Sequence, residues 1–240
     1  MIAIISKELQ QFFSSLTGYI SIILFLLVNA IYLFVLKDSN IFDFGYATLI
    51  DFFELAPWVF IFLIPALSMR SFSDEFKTGT FETLATRPLS RWQIVGGKYL
   101  AILVVILIAL VPTFLYVFTI DSLSATGNID TGGITGSYIG LFFLAAVFAA
   151  ISICCSSLTS NAVIAFLVSA FACLILYFGF SAISKLPVFF GNGDYYIEML
   201  GIDFHYRSIS RGVIDTRDVI YFASVAFLFL FITQKNLQKK

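Results

Sequence analysis

Ser137 to Leu158 reads SYIGLFFLAAVFAAISICCSSL, and after Thr159, Ser160 and Asn161 the chain resumes from Ala162 to Ile183 as AVIAFLVSAFACLILYFGFSAI. About 20 apolar residues of helix cross a hydrocarbon core of about 30 Å, so each run is long enough to span a bilayer. Only three residues separate them, which forces a tight antiparallel helical hairpin. Working outward, four more apolar runs lie at Gly18 to Leu36, Phe52 to Met69, Tyr99 to Ile120 and Val219 to Thr233, the last of them short. Pro57 and Pro65 in the second run are tolerable where neighbours satisfy the freed carbonyls. The expected fold class is an all-α integral membrane protein with six transmembrane helices in a single domain over residues 1–240.

Composition agrees. The 240 residues are 60% hydrophobic and 12% charged, with a mean hydropathy of +0.97. A soluble domain carries roughly 25% charged residues, and disorder requires low hydrophobicity with high net charge; both are excluded. A net charge of −1 offers no basic field for a nucleic acid. Cys154, Cys155 and Cys173 sit in apolar runs without a C-x-x-C and read as small packing residues. Nineteen apolar residues from Gly18 exceed a signal h-region, and no small-x-small site follows, so the first run is read as a helix.

Lysines and arginines orient the spans. Lys7, five basic residues from Arg70 to Lys98, and Lys235, Lys239 and Lys240 fall on one side, nine of the fourteen in all. The other side has Lys37, Lys185, Arg207, Arg211 and Arg217. The positive-inside bias therefore places both termini in the cytoplasm, in a multi-pass protein of the cytoplasmic (inner) membrane. Ahead of the first span, Ile2, Ile5, Leu9, Phe12, Phe13 and Leu16 recur at helical spacing, opposite Lys7 and Glu8. That pattern predicts a helix lying along the cytoplasmic interface, the alternative being a plain extension of the first span.

The internal segment 70–98 is polar and well punctuated. Thr80 to Thr86 allows two helical turns before Pro88. Ser90 with Gln93 forms a capping-box pattern, so a helix is expected from Ser90 to Thr119, about 45 Å long, with its first turns outside the bilayer. A short helix on such a rigid extension suits a push from a partner; an ordinary connector is the bland alternative.

These residues resemble the ABC-2 type permeases of ATP-binding-cassette transporters. The match is Glu75-x-x-x-Gly79-Thr80-x-Glu82-x-Leu84-x-x-x-Pro88 with Gly97-Lys98; Lys7-Glu8-Leu9 and Phe13 ahead of Gly18-Tyr19-Ile20; and Phe204 with Arg211-Gly212-Val213-Ile214-Asp215-x-Arg217-Asp218-Val219-x-Tyr221-Phe222. The last segment is most similar to the gliding-motility-associated permeases and their nitrous-oxide-reductase-accessory relatives. The resemblance implies a coupling helix at Thr78 to Thr86, with Glu75, Thr78, Gly79, Thr80, Phe81, Glu82, Leu84, Arg87 and Pro88 docking a separate ATPase subunit. It implies an interface helix carrying Lys7, Glu8, Phe12 and Phe13, and short external helices over 185–218 that include Arg211, Gly212, Asp215 and Asp218. It also implies a second permease copy, as a homodimer, and in a gliding-type system a further membrane-anchored subunit.

Residues 185–218 are too apolar for a solvated loop, with Phe189, Phe190, Tyr195, Tyr196 and Tyr206, yet too charged for a span. A re-entrant or interfacial helical pair is expected. Asp215 is placed to cap the last helix and Asp218 to favour its dipole. His205, the sole histidine, is read as an interfacial side chain without a ligand role. No ionisable residue lies well inside a span, Glu54 being near an end, which disfavours proton coupling. Small residues at four-residue steps, such as Gly136 and Gly140 or Ala165, Ser169 and Cys173, read as helix packing. Asn29 is either interhelical glue or a point facing a pathway.

Gly96-Gly97-Lys98-Tyr99 lacks the spacing and hydroxyl of a phosphate loop. The chain is therefore expected to bind no cofactor or metal and to have no catalytic residue, ATP and magnesium being held by the partner. An intramembrane enzyme lacks its nucleophile, paired carboxylates and H-E-x-x-H. The readings left are a permease subunit, exporting a substrate or conveying ATP-driven force, and a non-transporting assembly or anchoring subunit.

Overall fold

A computed structural model describes residues 1–36, 48–86, 88–124, 130–187, 191 and 193–238. Lys37, Arg87, Phe189, Phe190, Lys239 and Lys240 lie outside the described residues. Every regular element among those described is helical. Among the described residues, five helices are long and apolar enough to cross a membrane: Ile50–Thr78, Arg91–Leu123, Thr131–Leu158, Ala162–Ser184 and Thr216–Gln238. A sixth is counted if the N-terminal pair, bent by 72°, forms one span.

That pair is α1 (Ile2–Ser14) and α2 (Leu16–Phe34). A Cβ on Gly18 would stand 2.5 Å from the Phe12 carbonyl oxygen, so the bend requires glycine there. Ile2 and Leu16 are exposed, and Ile4 is the residue that enters the core.

The second span, α3 (Ile50–Ser68), does not end at Met69. It runs on as α4 (Arg70–Thr78), where a polar connector was expected. At the join the amides of Phe72 and Ser73 donate to Ser156 Oγ at 3.1 and 3.3 Å, and Ser156 Oγ donates to the Met69 carbonyl at 3.0 Å. One hydroxyl thus supplies partners for donors at a break in the helical ladder. Gly79 (φ +71°) then reverses the chain into α5 (Thr80–Ala85).

The capping box of Ser90 and Gln93 is formed at the start of α6 (Arg91–Leu110). The continuous helix expected beyond it is interrupted at Pro112, which cannot donate to the ladder. One 3-10 turn, Val111–Thr113, leads into α7 (Phe114–Leu123). The helix α8 (Thr131–Leu158) is the central element, packed against α3, α4 and α6 and against the helices that follow it. The hairpin partner α9 (Ala162–Leu174) is capped by Asn161, loosens into a π turn at Ile175–Gly179, and ends in α10 (Phe180–Ser184). Short helices α11 (Asp194–Glu198) and α12 (Ile202–Ser210) precede α13 (Thr216–Gln238). At 23 residues, α13 is longer than its apolar run because helix is added at both ends.

Asn236 Nδ2 donates to the Ser157 carbonyl at 2.7 Å, and Lys98 meets Glu8 at 2.8 Å. Both described chain ends therefore lie at the same end of the bundle, beside α4 and the last turn of α8.

Candidate functional site

At this terminal end three helices meet around one ammonium group. Lys98 Nζ donates to the Ser71 carbonyl at 2.7 Å, to Glu8 Oε1 at 2.8 Å and to Glu75 Oε1 at 2.9 Å. Its side chain is 1% exposed, and it lies 5.0 Å from the Phe72 ring centroid. All three of its hydrogens are used. Lys7 Nζ stands 3.2 Å from the same Glu75 oxygen. The cluster of two cations and two carboxylates is neutral, as a buried ionic group must be to persist.

Glycine makes the approach possible. A Cβ on Gly97 would come within 2.9 Å of Ile4 Cβ, so α1 crosses α6 where α6 has no side chain. The cluster ties α1 to α4 and thereby fixes the arm that carries α5.

Along that arm the buried Phe72 ring faces Phe76 and Phe81 at 6.1 and 6.4 Å, and Phe76 meets Phe81 at 5.0 Å. Phe81 is buried and Leu84 half-buried, so both hold α5 against α4. Thr78, Gly79, Thr80, Glu82, Thr83 and Pro88 are exposed. Thr78 Oγ1 bonds the Asp74 carbonyl at 2.8 Å and lies 3.0 Å from Thr80 Oγ1, which stiffens the turn. The residues assigned to docking by resemblance are thus divided. Glu75 belongs to the ionic cluster, Phe81 and Leu84 to packing, the others named here to an exposed polar ridge, and Arg87 lies outside the described residues.

The far end is organised by a second buried pair. His205 is not the interfacial side chain expected but is 4% exposed. Its Nδ1 is 2.6 Å from Asp218 Oδ1 and its Nε2 2.9 Å from the Met199 carbonyl, and its ring stacks on Tyr221 at 3.9 Å. Asp218 is buried with it and is not a free charge at the start of α13. Among the described residues no group of three His, Cys, Asp or Glu could hold a metal. Asp215 Oδ1 accepts from the Arg217 amide at 2.9 Å. Gly212 (φ +84°) packs so closely on α8 that a Cβ on Gly136 would lie 2.7 Å from its Cα. Arg211 is exposed.

Tyr206 donates to the Phe53 carbonyl at 2.7 Å, and burial pushes its phenol pKa up, which keeps it a donor. Arg207 forks onto Asp203 at 3.0 and 2.8 Å. A cleft of about 940 Å³ opens here, lined by Glu54, Trp58, Tyr177, Tyr206, Arg207 and Arg211 among others. Asn29 is fully buried and donates to the Phe25 carbonyl of its own helix at 2.7 Å, so that bond joins no second helix.

The five or six membrane-length elements, the single core and the polar arm at one end define a multi-pass helical membrane protein. The family model described as ABC-2 family transporter protein matches residues 2–188, and the chain belongs to that family. It is a membrane permease of an ABC transporter, a family whose members ordinarily serve as the non-catalytic partner of a separate ATPase. No curated protein matches the chain significantly.

Proposed function

We propose that the exposed ridge of Thr78 to Thr86, with Glu82 at its centre, docks the ATPase subunit, and that the Lys98 cluster carries the resulting push into α1 and α6. The observation that supports this reading most is the arm itself: a two-turn helix packed on the polar extension of the second span, clamped by rings on one side and by a buried ammonium at its root. In this reading the terminal end is cytoplasmic, α1 lies along the inner-membrane interface, and α11 and α12 are the external helices. ATP and magnesium are bound by the partner. Two permease copies pair with two ATPase subunits, in a gliding-type assembly with a further membrane-anchored subunit, to export a substrate or convey force.

Deleting Thr78 to Thr86, or reversing the charge of Glu82, tests the docking. Each variant is expected to insert normally and to lose a Walker-motif ATPase from a detergent-solubilised complex. Retention of the ATPase by the variants would overturn the reading, and a stable complex of the unaltered chain that contains no ATPase would favour an assembly or anchoring subunit.

A further inference from the structure

A column of side chains on α13 forms an exposed aromatic strip that ends at an ammonium. Phe227, Phe231 and Lys235 follow at four-residue steps on one face, so two apolar rings rise to an ammonium. Trp92, from the first turn of α6, closes the column from the side, stacked on Phe227 at 5.8 Å and 12° and set 6.3 Å from Phe231. Lys235 Nζ lies 5.6 Å from the Phe231 ring centroid. The rings remain exposed, Phe227 by 60% and Trp92 by 40%.

The charge at the top of this column is uncompensated. Neither Lys235 nor Arg91, which adjoins Trp92, is in an ion pair among the described residues. The chain has no Asp or Glu between Glu82 and Asp121 and none after Asp218. The Ser90 capping box already satisfies amides of α6, so the cations are what an anion would meet.

We infer that this exposed face binds one anionic phospholipid, its phosphate at Lys235, with Arg91 adding charge from the same helical turn as Trp92, and an acyl chain along Phe231 and Phe227. A second copy of the chain fits less well. A two-fold contact through this face would set cations against cations with no carboxylate between them. The inference is independent of cargo and of ATPase docking.

Trp58 and Trp92 are the only tryptophans, so Trp58→Phe leaves Trp92 as the sole reporter. That variant, full length and in vesicles, would be titrated with phosphatidylglycerol or phosphatidylcholine brominated near the headgroup. Phosphatidylglycerol is expected to quench Trp92 at a lower mole fraction, by roughly fivefold for each cation engaged. Lys235→Gln and Arg91→Gln, both at the surface, should each remove about one such factor, and so should raised salt. Equal quenching by the two lipids would show ordinary boundary lipid and overturn the proposal. A lack of quenching by either, with Trp92 shielded, would overturn it in favour of a second copy. Selectivity unchanged in both charge variants would overturn it as well.

Discussion

Lys98→Met is the sharpest test of the terminal-end cluster, because it removes the charge and keeps most of the volume. Glu8 and Glu75, whose side chains are 16% and 12% exposed, would lose the ammonium that lies 2.8 and 2.9 Å from their oxygens. Removing one partner of a buried pair costs about 3–5 kcal/mol. Lys7, still 3.2 Å from Glu75, and the residual access of water to both carboxylates reduce this to about 2–3 kcal/mol. For a chain of this size that corresponds to a fall in Tm of roughly 5–10 °C. Cys154, Cys155 and Cys173 are free and buried, so a thiol-reactive dye reports unfolding in detergent without an added label. The triple variant Lys98→Met, Glu8→Gln, Glu75→Gln removes the stranded charges and should recover most of the loss, since neutral replacement of a whole buried ionic group is often tolerated. Recovered stability without recovered ATPase coupling would show that the cluster transmits and does not merely hold. A Lys98→Met protein that melts with the parent, or a triple variant that melts below the single one, would refute the reasoning.

Three further outcomes are expected. Gly97→Val should force α1 away from α6, because a Cβ already meets Ile4 at 2.9 Å, and should lower Tm by several degrees in the thiol assay. His205→Ala should destabilise by about 2–4 kcal/mol, because Asp218 is left buried without its partner, whereas adding Asp218→Asn to it should restore part of that loss; thermal melts of the single and double variants measure the coupling. Ser90→Ala should cost about 1 kcal/mol through loss of the helix cap, read as a small Tm decrease with ATPase binding retained.

Elements set by neighbours in the chain were legible in the sequence. The apolar runs, the tight hairpin around Asn161, the Ser90 and Gln93 capping box and the two turns ending before Pro88 each depend on residues a few positions apart, and local spacing governs backbone hydrogen bonding within a helix. The unexpected features depend on distance through space. Lys98 read as one more topology-setting cation at the edge of a span, and nothing near it in sequence points to Glu8, 90 residues away. His205 read as a solitary interfacial ring because its partner Asp218 arrives only when α12 folds onto α13. The continuation of the second span through Arg70–Thr78 depends on a hydroxyl from Ser156, on a helix formed much later in the chain. The sequence by itself determined where the apolar spans and their caps fall, since apolar length and capping are local properties. Tertiary structure alone decided which buried charges meet, because a buried ion persists only where packing brings its counterion within hydrogen-bonding distance.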